Sequence, residues 1–139
     1  MMTIEHRVGR LCEARFASPF RPNELAPFIT GVRRLLLEVG RPCIFCCDAR
    51  RLLAFPPDIS DGLTQMMRGD NPMVEKNGII SGGSSVFGMQ IDRMFREAGN
   101  PGRRAFTKVA ELEAWLAESL DPAERQRLAA FLAEGDAPR

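Results

Sequence analysis

Cys43-Ile44-Phe45-Cys46-Cys47 is an unbroken apolar run of strand length, closed by Asp48. A strand that is apolar at successive positions has no face left for water, so it belongs in the middle of a parallel sheet covered on both sides. Helices are expected on either side of it. Upstream, Leu25, Phe28, Ile29, Val32, Leu35, Leu36 and Val39 recur at intervals of three and four, forming one apolar stripe. Asn23 is the expected cap of that helix, Pro27 lies in its first turn, and Gly40 and Pro42 end it. Downstream, residues 49 to 57 read as a loop. Ile59, Leu63, Met66 and Met67 then give a short amphipathic helix ending near Gly69-Asp70-Asn71-Pro72.

Further from the centre, Ile4, His6 and Val8 alternate with Glu5 and Arg7, and Leu11, Cys12, Ala14 and Phe16 resume after Gly9-Arg10. Two short antiparallel strands fit, and so does one bent strand with a bulge at Gly9. Gly78 to Ser81 reads as a brief strand and Phe87, Ile91, Met94, Phe95 and Ala98 as a helix stopped by Gly99-Asn100-Pro101-Gly102. Arg103 to Phe106 is a last strand, and Thr107 is the expected cap of a helix carrying Leu112, Trp115 and Leu116. Asp121-Pro122-Ala123-Glu124 is a capping box with Pro at the first helical position, opening a helix with Leu128, Phe131 and Leu132. The expectation is a single α/β domain over residues 1–135, with a frayed tail at 136–139. Its order is β-β-α-β-α-β-α-β-α-α, and its sheet is mixed, mostly parallel and of about five strands. Right-handed crossovers would gather most helices on one face. The other face then needs a second copy, a tight protein partner, or the helix from Pro122 to Ala133.

The composition is that of an ordinary globular chain: 139 residues, 45% hydrophobic and 27% charged. With 19 Lys and Arg against 18 Asp and Glu, the net charge of +1 gives no basic face for nucleic acid. No run approaches the roughly 18 apolar residues of a membrane span, and the first residues carry no apolar signal stretch. A cytoplasmic location with reduced thiols is therefore expected.

Cys43, Cys46 and Cys47, with Cys12 elsewhere, invite a zinc or redox reading. Alternation along a strand points Cys43 and Cys46 to opposite faces, which leaves core packing as the expectation and no metal site. Gly82-Gly83-Ser84-Ser85 lies between a strand and a helix start, where backbone N–H groups can hold an anion or ligand; a plain turn with a serine cap explains the same residues. Asp48 lies at the carboxyl end of the buried strand, near Arg50, Arg51 and Asp58, and reads as a loop anchor with no catalytic partner in view. His6 reads as structural, and Met66, Met67, Met73, Met89 and Met94 mostly as packing. No catalytic residue and no cofactor are expected.

The order of elements, with Asp48 closing the central strand, resembles the STAS superfamily, and more narrowly the bacterial branch related to anti-sigma-factor antagonists. Ile79-Ile80-Ser81, Phe87-Gly88-Met89-Gln90-Ile91, Arg104-Ala105-Phe106-Thr107 and Glu111-Leu112-Glu113-Ala114-Trp115-Leu116 carry the likeness, which covers roughly residues 3 to 120. The family's phosphorylated D-S-S-G-L would fall on Ile59-Ser60-Asp61-Gly62-Leu63, so Asp61 stands where the phosphoserine is expected, at a longer spacing from Asp48 than usual. The resemblance implies a non-catalytic regulatory or protein-interaction module in bacterial signalling. Its surface would comprise Arg50, Arg51, Asp58, Ser60 and Asp61, and Asp61 would be a fixed negative charge or mark loss of the phosphorylation switch. Some relatives of the fold are discussed as small-molecule or lipid binders, which is the alternative.

Overall fold

The apolar run at 43–47 lies in the middle strand of a five-stranded mixed sheet, as the computed structural model of residues 1–136 describes it. The strands are β1 (Met2–Val8), β2 (Leu11–Ala17), β3 (Cys43–Arg51), β4 (Val74–Ser81) and β5 (Arg103–Phe106), in that spatial order. The helices are α1 (Leu25–Val39), α2 (Pro57–Asp70), α3 (Ser85–Ala98), α4 (Val109–Ala117) and α5 (Pro122–Glu134). β1 and β2 pair antiparallel through the tight turn at Gly9-Arg10, where Gly9 has φ +54°. The other neighbours, β2–β3, β3–β4 and β4–β5, pair in parallel.

β3 divides the core in two. Cys43, Phe45 and Cys47 face a layer built by α1, α2 and α3, with Phe28, Val32, Ile59, Leu63, Phe87 and Ile91 packed there. Ile44 and Cys46 face the opposite way, onto Leu112 and Leu116 of α4 and Leu128, Phe131 and Leu132 of α5. The second face is thus covered from within the chain, which removes the ground for expecting a homodimer. Among the described residues no helix is long and apolar enough to cross a membrane.

α5 is tied to the sheet at its start. Asp121 accepts from the Glu124 N–H and Glu124 from the Asp121 N–H, both at 2.8 Å, which is the capping box expected from the sequence. Glu124 is only 3% exposed because its second oxygen takes the Arg10 N–H at 2.6 Å. One carboxylate therefore caps α5 and fastens it to the β1–β2 turn. A side chain at Gly9 would strike it.

Several boundaries differ from the sequence expectation. β3 runs on through Arg51, because β2 and β4 pair with it as far as Ala17↔Arg51 and Ala49↔Ser81. β4 begins at Val74 rather than Gly78, its polar start held in register by β3. α2 begins at Pro57, so Ser60 and Asp61 lie in its second turn and not at its end. Asn23 adopts a left-handed φ of 66° just ahead of the cap residue Glu24, and Lys108 rather than Thr107 caps α4. Asp136 accepts from Arg50, and a Cβ at Gly135 would fall on Asp48 and Arg50, so both residues lie against the end of β3. Residues 137–139 of the expected tail lie outside the described residues.

Leu128→Ala, at a site with no exposure, is expected to cost about 2–5 kcal/mol of unfolding free energy in urea titration. The unmodified chain is expected to sediment as a monomer at micromolar concentration.

Candidate functional site

The residues expected to form one surface are divided between the two helix layers. Arg50 turns toward α5, where it donates to Asp48 Oδ1 and Oδ2 at 3.0 Å and to the Leu132 carbonyl at 2.8 Å. Asp58, Ser60 and Asp61 lie on α2 in the other layer. Asp58 and Asp61 are exposed, and Asp61 is close enough to Arg93 of α3 to reinforce its charge. Arg51 is exposed at the end of β3. Asp48 accepts from the backbone N–H and guanidinium of Arg50 and from Arg15, and those two arginines in turn reach the last turn of α5.

Gly82 to Ser85 form the turn from β4 into α3. A side chain at Gly82 would strike the Arg50 carbonyl, so glycine allows this turn to close on the end of β3. Gly83 has φ +92°, in the left-handed region that favours glycine. Ser84 caps α3 by accepting the Phe87 N–H at 3.2 Å and donates its own hydroxyl to the Leu53 carbonyl at 2.9 Å. The serine is thus engaged on both sides, and Ser85 is the first, exposed residue of α3.

That contact joins two elements carrying exposed apolar side chains. Leu53 is 71% exposed, Val86 65% and Met89 77%. Val86 and Met89 are three apart on α3 and share a face. Leu53 is not a loose loop tip. Its N–H donates to Ser18 Oγ at 3.2 Å, and its neighbours Leu52 and Phe55 are buried. Gln90 of α3 clamps the Phe55 backbone with two bonds of 2.8 Å, one accepted and one donated. Of the five exposed large hydrophobic residues among the described residues, three fall on this one hydrogen-bonded assembly; the others are Met1 at the chain start and Leu37 of α1. Apolar exposure gathered in this way marks a contact surface more often than scattered residues do.

The opposite layer holds a network of charges. Glu13 of β2, 3% exposed, takes two bonds from Arg127 of α5 at 2.8 and 2.7 Å, and Arg127 also bonds Glu134. Arg15 donates to Asp48 at 3.0 Å and to the Phe131 carbonyl at 3.0 Å, with its guanidinium 4.1 Å from the Phe131 ring centre. Arg15 and Arg50 thereby satisfy carbonyls of the last turn of α5, where the helix dipole favours cations. A cleft of about 450 Å³ opens beside this network, between β1 and α5. Arginines and carboxylates line it together and neutralise one another, so it offers no net sign with which to select a ligand.

The four cysteines are buried. Burial pushes the Cys47 thiol up to about 12, Arg103 opposing and Asp48 adding to the effect. Burial also raises Cys46, and the hydrogen bond to Cys43 raises Cys12. Cys43 and Cys46 point to opposite faces of β3, as strand alternation requires. Among the described residues no group of three or more His, Cys, Asp or Glu could hold a metal ion. His6 donates from Nε2 to the Gly9 carbonyl at 2.6 Å, a bond within the β1–β2 hairpin.

Met89, read from the sequence as one of the packing methionines, is exposed instead. It lies two residues from buried Phe87 and two from buried Ile91, which at 100° per residue puts it on the far side of α3. Leu53 and the partners of Glu13 were also missed; nothing local marks Leu53. No family model, no curated protein and no solved structure matches this chain.

Glu13→Leu alone is expected to cost about 1–3 kcal/mol, since it takes two charge-assisted bonds from Arg127 and leaves it only Glu134, whereas Glu13→Leu with Arg127→Met is expected to recover most of that loss. Alkylation of the native protein at pH 8 is expected to be slow at all four thiols, at rates that follow unfolding. Fast labelling at Cys46 or Cys47 would contradict their burial.

Proposed function

We propose that this chain is a non-catalytic protein-interaction module of STAS-like type, acting in bacterial signalling. In this reading a protein partner docks on the carboxyl-terminal edge of the sheet. The observation that carries it is the clustering of exposed Leu53, Val86 and Met89 on two elements already joined by the Ser84–Leu53 and Gln90–Phe55 hydrogen bonds. A surface held in one arrangement before binding loses little entropy on association, which favours affinity. The apolar centre would be rimmed by the charges of Asp58 and Asp61 of α2, while Arg51 lines the cleft beside β1 and α5. In this reading Asp61 is a permanent charge at the rim of the interface, and Arg50 contributes through its backbone at Gly82 rather than through its side chain.

The resemblance to anti-sigma-factor antagonists supports the same reading, since the surface residues it implies, Arg50 and Arg51 before and Asp58 to Asp61 after, flank Leu53 in the chain. The thiol geometry favours it over a cysteine enzyme, because Cys46 and Cys47 are buried and raised in pKa rather than poised as thiolates.

Leu53→Asp and Met89→Asp each change only an exposed side chain, so unfolding free energy is expected to move by no more than about 0.5 kcal/mol. Both are expected to weaken capture of the partner from native extract at least tenfold, measured against the unmodified chain as bait. Asp61→Ala is expected to weaken it less, by the loss of a rim charge. Undiminished capture by both aspartate variants would overturn the assignment of this edge.

A further inference from the structure

Beneath α1, α2 and α3 the packing against the sheet does not close. A cavity of about 50 Å³ remains, with Ala14, Phe45 and Ile79 of the sheet on one side and Val32, Leu63 and Met94 of the helices on the other. One water-sized sphere needs about 10–15 Å³ on this measure, so the space suits roughly three to five non-hydrogen atoms. Its walls are apolar except where Asp70, Asn77 and Arg103 reach it.

Those three groups are unevenly satisfied. Arg103, 7% exposed, donates from Nε and Nη2 to Asn71 Oδ1 at 3.2 and 3.0 Å and from Nη2 to the Met67 carbonyl at 3.2 Å; Nη1 carries none of these bonds. Asn77 Oδ1 accepts the Cys47 S–H at 3.4 Å. Asp70 Oδ2 is buried and has no hydrogen-bond partner among the described residues. Burial raises the Asp70 pKa, with Arg33 and Arg103 pulling the other way, and burial lowers that of Arg103 to about 10. Both charged groups are therefore held in surroundings that disfavour their charge, and one oxygen still lacks a donor.

We propose that this cavity is a binding site for a small neutral alcohol, its hydroxyl set between Asp70 and Arg103 and its short carbon chain among the methionines. An ammonium head would meet the Arg103 guanidinium, and a carboxylate head would meet Asp70. A hydroxyl both donates and accepts, so it completes Asp70 Oδ2 and faces a guanidinium without bringing a third charge into the core. Met66, Met67 and Met94 line the chamber, and their unbranched side chains can repack around an apolar chain of three or four carbons. The exposed side chains of the docking edge, Leu53, Val86 and Met89, line none of this cavity.

The test is a titration of the protein, labelled at its methionine methyl groups, with 1-butanol and separately with methyl propyl ether. The two are isomers, and the ether can accept a hydrogen bond but not donate one. Saturable shifts at Met66, Met67 and Met94 are expected with 1-butanol, and at least fivefold weaker binding of the ether. Asp70→Ala is expected to bring the alcohol down to the affinity of the ether while the melting temperature holds or rises, because a buried carboxylate oxygen that lacks a donor has gone. Equal affinity for the two isomers, shifts that do not saturate, or shifts confined to exposed Met89 would overturn the proposal. Partner capture through Leu53 and Met89 is unaffected by either result, so this site and the docking edge fail separately.

Discussion

From Cys43 to Ala49 strand β3 meets solvent on neither face, and the rest of the molecule follows from that constraint. Cys43, Phe45 and Cys47 require the α1–α3 layer, and Ile44 and Cys46 require the α4–α5 layer. Burying Leu128, Phe131 and Leu132 of α5 contributes about 1.5–3 kcal/mol each. Without α5, that benefit is lost and an apolar sheet face is exposed as well. The last helix is thus part of the fold, although the sheet is complete before it begins.

Apolar burial holds α5 down but does not fix where it sits. The charges supply that. Glu13 and Asp48 share their sheet face with apolar residues, and a buried carboxylate without a partner costs several kcal/mol. Arg127 reaches Glu13 and the Phe131 and Leu132 carbonyls reach Arg15 and Arg50 only in one placement of α5 along the sheet. The net stabilisation from such pairs is small, since desolvation offsets most of the attraction, but a misplaced helix would take Arg127 from Glu13 and the α5 carbonyls from Arg15 and Arg50. Asp48 therefore reaches α5 through Arg15 and Arg50, and the end of β3 that it steadies is the same strand end whose Arg50 backbone receives the Gly82 turn.

The fold was legible in the sequence wherever a local pattern carried it. The apolar run at 43–47, the heptad-like stripe of α1 and the Asp121-Pro122-Ala123-Glu124 box all became the elements they suggested. Boundaries failed where neighbours decided them: β4 extends back to Val74 because β3 supplies its partners, which no property of Glu75 or Lys76 announces. The site was less legible. Arg50 and Asp58 are close in the chain, yet an odd-and-even alternation along β3 sends Arg50 to the α5 layer and leaves α2 in the other. Met89 was readable in principle, since Phe87 and Ile91 fix the buried side of α3 and put it opposite. The ion pair of Glu13 with Arg127 joins residues 114 apart, and no spacing rule reaches that far.

The two layers divide the work in this account. The α5 side, with its charges mutually satisfied, holds the sheet; the carboxyl-terminal edge, with Leu53, Val86 and Met89 held outward, meets a partner. Photo-cross-linking from single positions in the living cell separates this from a merely exposed surface. A photoreactive side chain at Met89 or Leu53 should join the chain to one and the same protein. The same group at Leu37, which is 83% exposed on α1 and away from that edge, should join it to none. Cross-linking from Leu37 as strong as from Met89, or different products from Met89 and Leu53, would contradict a single docking edge.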